Sequence, residues 1–209
     1  MENSFNILKA SSHPAMENSF NILKASSHPA ARITGPPVKI LLVGDPSCRN
    51  GDLVNMFLRT KESTVHKRMF AKVYVHQMPD KNVTLFVFDV IDDDYFQQRD
   101  HIFYGDTVVL FCYDADDPIT LRNLLHFWIP KFWFQTVAGV PCILVESGKK
   151  LDERNCDVLA AELMSKERSE ILKLYRFDTV IECSVDDPKS IDCLFNTAVR
   201  IALNTYYVI

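Results

Sequence analysis

Apolar and polar positions along this chain fall into blocks that alternate between two periods. Lys39 to Val43 is a nearly continuous apolar run of strand length, and Leu53, Phe57 and Leu58 after it mark a helix face. Met69 to Gln77 and Val83 to Val90 are β-rich runs joined by Met78-Pro79-Asp80-Lys81-Asn82, a hairpin connection. Val108 to Tyr113, Val140 to Val145 and Thr179 to Ser184 read as further short strands. Between them, Leu121, Leu124, Leu125 and Trp128 recur at helical spacing, and Val158 to Leu174 is amphipathic. Ile191, Leu194, Phe195 and Val199 mark a last helix. Asp117-Pro118 and Asp187-Pro188 each supply an N-cap and a proline at the first helical position.

Strands alternating with helices predict an α/β, three-layer, doubly wound fold. The expected sheet is six-stranded and mostly parallel, with one antiparallel edge strand from the early hairpin. Ligands of such sheets sit at the carboxyl ends of the strands, where Gly44, Asp89 and Ser184 fall.

Met1 to Ala15 is repeated without change as Met16 to Ala30. Residues 1–37, the repeat and its Gly-Pro-Pro linker, are therefore expected to be an artefactual or disordered addition, and 38–209 the folded domain. Each copy holds one Glu and one Lys, so the net charge of −4 belongs to the remainder. A mildly acidic surface argues against nucleic acid as partner. No apolar run approaches the roughly 18 residues of a membrane span. The final stretch, Asn204 to Ile209, holds no Cys for prenylation, so lipid anchoring has no handle and a cytoplasmic location is expected. None of the six cysteines forms a C-x-x-C pair, and Cys112, Cys142 and Cys183 lie within strands, as buried free thiols of a reducing compartment do. No metal site is expected from their spacing.

The chemistry concentrates after the first strand. Gly44-Asp45-Pro46-Ser47-Cys48-Arg49-Asn50-Gly51 has the setting of the phosphate-binding loop G-x-x-x-x-G-K-S/T, between a strand and a helix. Its second Gly is Arg49, its Lys is Asn50 and its Ser/Thr is Gly51. Asn50 carries no charge for the phosphates, and Gly51 offers no oxygen to Mg²⁺. A two-residue shift puts Gly51 at the second glycine, and Asp52 then stands where Lys should be.

Taken together, Lys39 to Pro46, Asp106 to Tyr113 with Pro118-Ile119-Thr120-Leu121 and Trp128-Ile129-Pro130, and Ile181-Glu182-Cys183-Ser184-Val185 resemble a Ras-superfamily small GTPase of Rho or mitochondrial-Rho texture. The resemblance runs from Lys39 to Leu203 and implies a G domain of P-loop NTPase fold. It also implies roles at particular positions. Asp89-Val90-Ile91-Asp92 resembles D-x-x-G, so Asp89 is the remnant metal candidate. Asp92 replaces the Gly that reads the γ-phosphate, and Asp93 replaces the Gln that orients water. Thr64 is the candidate for the first switch. Lys149-Lys150-Leu151-Asp152 resembles the guanine motif, with Lys149 in place of Asn or Thr and Ser147-Gly148 inserted after the strand. The remnant nucleotide-binding set is thus Gly44, Lys150, Asp152 and Ser184, with Arg49 a substitute cation or a solvated loop charge.

Losing the Lys and the metal-ligating hydroxyl should cost about 3–6 kcal/mol, or roughly two to four decades of affinity. Two functions follow. One is a pseudo-GTPase, without catalytic residues or bound cofactor, that acts as a constitutive protein-interaction module. The other is an atypical switch that binds GTP or GDP with Mg²⁺ weakly and hydrolyses very slowly. A flavodoxin-like module lacks any flavin signature here. For the partner surface, the aromatic run from His126 to Phe134 points to Phe132, Trp133 and Phe134, while Trp128 and Ile129 are expected to seal the sheet.

Overall fold

A computed structural model describes residues 37–59, 66–68, 71–77, 82–90, 106–133, 139–148 and 158–204. All of these fall within one unit, Thr34–Ile209. Thr64, Asp92, Asp93, Phe134, Lys149, Lys150, Asp152 and the repeated amino-terminal segment lie outside the described residues.

The strands are β1 (Val38–Val43), β2 (His66–Arg68), β3 (Ala71–Gln77), β4 (Asn82–Val90), β5 (Thr107–Asp114), β6 (Cys142–Ser147) and β7 (Thr179–Cys183). They form one sheet in the order β2-β3-β4-β1-β5-β6-β7. β4, β1, β5, β6 and β7 are parallel neighbours, and β3 runs antiparallel to β4 as the hairpin reading expects. The sheet has seven strands where six were expected. The seventh is the three-residue β2, antiparallel to β3, whose Lys and Arg carry no apolar signal.

The helices are α1 (Asn50–Arg59), α2 (Pro118–Asn123), α3 (Ile129–Trp133), α4 (Val158–Leu174) and α5 (Pro188–Asn204), with a π-helical turn at Leu124–Trp128 joining α2 to α3. Both Asp-Pro signals act as expected. Asp117 Oδ1 accepts from Ile119 N at 3.0 Å and Asp187 Oδ1 from Lys189 N at 3.1 Å. Pro130 has no N–H to return to the preceding turn, and the wider π turn lies immediately before it.

Period-two alternation divides β1 between two cores. Ile40 and Leu42 join Leu53, Phe57, Leu194 and Phe195 under α1 and α5, where the Phe57 and Phe195 rings stack at 4.1 Å. Leu41 and Val43 join Phe111, Leu124, Trp128, Ile129 and Phe132 on the opposite face. Burying both faces is why the strands read as apolar runs rather than alternating ones. Among the described residues, no helix is long and apolar enough to cross a membrane.

Candidate functional site

The segment that follows β1 closes on itself. After Gly44 and Asp45 the chain makes a 3₁₀ turn, Pro46–Cys48, and Arg49 then takes the left-handed conformation (φ 56°) before α1 begins. Pro46 fixes φ for that turn and has no N–H of its own. The Cys48 N–H donates to Asp45 O at 2.9 Å and the Arg49 N–H to Pro46 O at 3.3 Å. Two amides of the segment that would cradle a phosphate are thus bonded within the loop.

Side chains fasten this turn on three sides. The Cys48 thiol donates to Cys112 O on β5 at 3.4 Å, and Ser147 Oγ at the end of β6 donates to Cys48 O at 3.4 Å and to Tyr113 O at 3.0 Å. Asp45 receives the Trp128 indole N–H at 2.6 Å and the Asn123 amide at 2.7 Å, one on each carboxylate oxygen. Asp45 therefore leaves its own 3₁₀ turn without a side-chain cap, unlike the other two Asp-Pro pairs. Burial, with the charges of Asp45 and Asp114, pushes the Cys48 thiol up to about 12, so it stays protonated and inert.

Gly44 is needed for packing. A Cβ there would sit 2.3 Å from Cys112 O, so only glycine lets β1 leave the sheet this close to β5. Asn50 opens α1 at 3 % exposure, and neither oxygen nor nitrogen of its amide is hydrogen-bonded among the described residues. Gly51 faces Asp89: a Cβ on Gly51 would lie 3.6 Å from Asp89 Oδ2. Arg49 pairs with Asp52 at 2.7 Å on an exposed surface. Asp114 stands at the end of β5, its Oδ1 accepting from Asp116 N at 2.9 Å. Desolvation raises its pKa, with the neighbouring charges of Asp116 and Asp117 adding to the rise.

The structure brings Gly44, Asp89 and Ser184 to the carboxyl ends of their strands, as the topology requires. Ser184 is occupied by its own turn. Its Oγ accepts from Asp186 N at 3.2 Å and its backbone N–H donates to Ser190 Oγ at 3.0 Å, binding β7 to α5. Ser147 is the last residue of β6 rather than part of an insertion after it. Beside it Glu146 is buried, holding the Tyr113 hydroxyl at 2.5 Å and Arg168 at 3.1 Å. Phe132 cannot serve as a partner surface. It is 1 % exposed with its ring edge-on to Phe111 at 5.3 Å, because it follows Trp128 by four residues and Leu125 by seven, on the helix face that covers the sheet. Trp128 and Ile129 are buried as expected, and Phe127, in the same aromatic run, is 48 % exposed under the Lys131 ammonium. Reasoning from sequence missed Asp45, Asn123, Cys48 and Ser147 as loop fasteners. Asp45-Pro46 was the available signal, since it repeats the helix-opening dipeptide inside the loop.

Among the described residues, no group of His, Cys, Asp or Glu is arranged to hold a metal ion. The sequence profile described as Ras family matches residues 39–204. The human Rho-related GTP-binding protein RhoB is 28 % identical over 181 residues, covering 81 % of this chain and 90 % of that protein. GTP-binding protein Rho1 of Kluyveromyces lactis is 28 % identical over 176 residues, covering 79 % and 83 %. GTP-binding protein rho3 of Schizosaccharomyces pombe is 23 % identical over 177 residues, covering 79 % and 82 %.

Proposed function

The chain belongs to the Ras family, and from that premise we propose that it is a pseudo-GTPase, a small-GTPase fold acting as a constitutive protein-interaction module. The observation that carries this reading is the self-closed loop after β1, with the Cys48 and Arg49 amides bonded to Asp45 O and Pro46 O. Mg²⁺ and a triphosphate fit these residues poorly. Asn50 has no charge, Gly51 has no oxygen, and Asp114 presents a carboxylate beside the loop where like charge is costly. Loss of the catalytic Gln position to Asp93 removes the group that orients water. Binding to protein partners, independent of nucleotide, is the use that remains for such a domain.

The second reading, a weak nucleotide switch with very slow hydrolysis, is favoured by the facing of Gly51 and Asp89 and by the unsatisfied amide of Asn50. Nucleotide content of protein purified under native conditions separates the two. The pseudo-GTPase reading expects none, and single-turnover incubation with labelled GTP and Mg²⁺ at background rate. Stoichiometric guanine nucleotide, or hydrolysis that Asp89→Ala abolishes, would establish the switch instead.

A further inference from the structure

We propose that the groove where α4 turns into β7 docks an extended peptide of a partner protein, one that carries a bulky apolar side chain beside carboxylates. The proposal rests on the reading of the domain as an interaction module. A cavity of about 420 Å³ opens there, lined by Leu172, Lys173, Tyr175, Arg176, Phe177 and Val180 among others. Four large apolar side chains are exposed among the described residues, and two of them, Leu172 at 43 % and Leu174 at 61 %, border this one groove. Concentration of exposed leucine at a concavity marks a binding surface rather than the usual scatter.

The floor is firm. The Phe177 ring is edge-on to Phe111 at 6.0 Å, Tyr175 N bonds Ile171 O at 2.9 Å, and Asp178 Oδ2 takes the Cys142 N–H at 2.8 Å to seat β7 on β6. A pocket built on the core is present before the partner arrives, which lowers the ordering cost of binding. Charge selects the occupant. The two charged residues lining the groove, Lys173 and Arg176, are both cations, and neither is paired with a carboxylate among the described residues. The chain as a whole carries −4, so this patch opposes its own protein's charge and favours an acidic ligand. Extension follows from the sheet: β7 is its last strand, bonded only to β6 among the described strands, and an added strand would run from its outer edge into the groove.

The test is titration of the full chain with a fluorescein-labelled Asp-Asp-Leu-Trp-Leu-Asp hexapeptide and its counterpart with Lys at every Asp. The acidic peptide should bind saturably and shift backbone amide resonances of Leu172 to Val180. The double variant Lys173→Glu with Arg176→Glu should weaken it by about three- to tenfold and come to prefer the lysine peptide. Leu172→Ala with Leu174→Ala should weaken it with an unchanged Tm. Equal affinity for both peptides, resonance shifts elsewhere, or absence of saturation would overturn the proposal. So would saturable binding to phosphatidylserine vesicles with no binding of the peptide, which would make the patch a membrane surface. Nucleotide on the purified protein would overturn the pseudo-GTPase reading without touching this titration. Failure of the titration with nucleotide-free protein would remove the groove alone.

Discussion

The indole Nε1 of Trp128 donates to Asp45 Oδ1 at 2.6 Å, joining the π turn between α2 and α3 to the loop after β1 across 83 residues of sequence. The second oxygen of the same carboxylate takes the Asn123 amide. Asp45→Ala would strand a buried indole N–H and release the loop, so it should lower stability by about 2–4 kcal/mol. Urea denaturation measures this. Asp45→Asn, which keeps an acceptor for Trp128, should lose less.

Gly44→Ala would force its methyl against Cys112 O, an approach of 2.3 Å that no rotamer relieves. The expected loss is about 3 kcal/mol, or failure to accumulate folded protein. Gly51→Ser should be tolerated, since its Cβ would meet Asp89 Oδ2 at 3.6 Å, an ordinary contact. Its Tm in GTP and Mg²⁺ should still match its Tm without them, because the loop amides stay bonded. A ligand at a hundred times its Kd would stabilise by about 2.7 kcal/mol, which a melting curve resolves readily.

Phe132 and Phe127 should separate cleanly. Phe132→Ala empties a core position at 1 % exposure and should cost about 3–5 kcal/mol. Phe127→Ala removes a ring that is 48 % exposed and should change stability by less than about 1 kcal/mol. Equal effects in chemical denaturation would contradict the packing described for the π turn.

Alkaline pH should weaken the fold steeply. Burial raises the thiols of Cys48, Cys142 and Cys183 from 9.0 to about 12, and that of Cys112 well above 9.0. A raised thiol pKa gives stability that is present below the unfolded value and lost as pH rises towards the folded one. Lys39 acts in the opposite sense: burial lowers it to about 8, and folding gains as pH rises from there to its unfolded value of 10.5. Above pH 9 the unfolded chain increasingly sheds protons that the four buried thiols and the Tyr113 hydroxyl keep when folded, and these outnumber the single proton by which Lys39 acts in the opposite sense. Stability should then fall with pH, on the order of a few kcal/mol per pH unit, and more steeply from 9.5 to 10.5 than from 8.5 to 9.5. Denaturation midpoints at pH 8.5, 9.5 and 10.5 test the slope, and Cys183→Ala should make it shallower.

Most of the fold was legible because period-two and helical apolar patterns are strong where both sheet faces are buried. β1, β5 and β6 are such cases, as are the Asp-Pro caps at Asp117 and Asp187. β2 escaped notice because a three-residue edge strand of His, Lys and Arg gains its place from pairing with β3 rather than from apolar burial. The departure of the loop from the phosphate-binding pattern was equally legible, since Asn50 and Gly51 stand where that pattern has Lys and Ser or Thr. Its fasteners were not. Asp45 finds Trp128 and Asn123, and Cys48 finds Ser147 and Cys112, through contacts spanning 64 to 99 residues, which no local pattern encodes. The aromatic run misled for a different reason. Phe132 continues the spacing of Leu121, Leu125 and Trp128, and its burial was missed because the helix was expected to end before it, whereas helical structure runs on to Trp133.

On the nucleotide-free reading proposed above, the self-closed loop leaves the folding equilibrium independent of ligand concentration at that site. The fraction of this protein that is folded would be the same in a starved cell as in a well-fed one, whatever their guanine nucleotide pools. Control would then pass to synthesis and degradation, and the signal such a domain conveys would be how many copies exist.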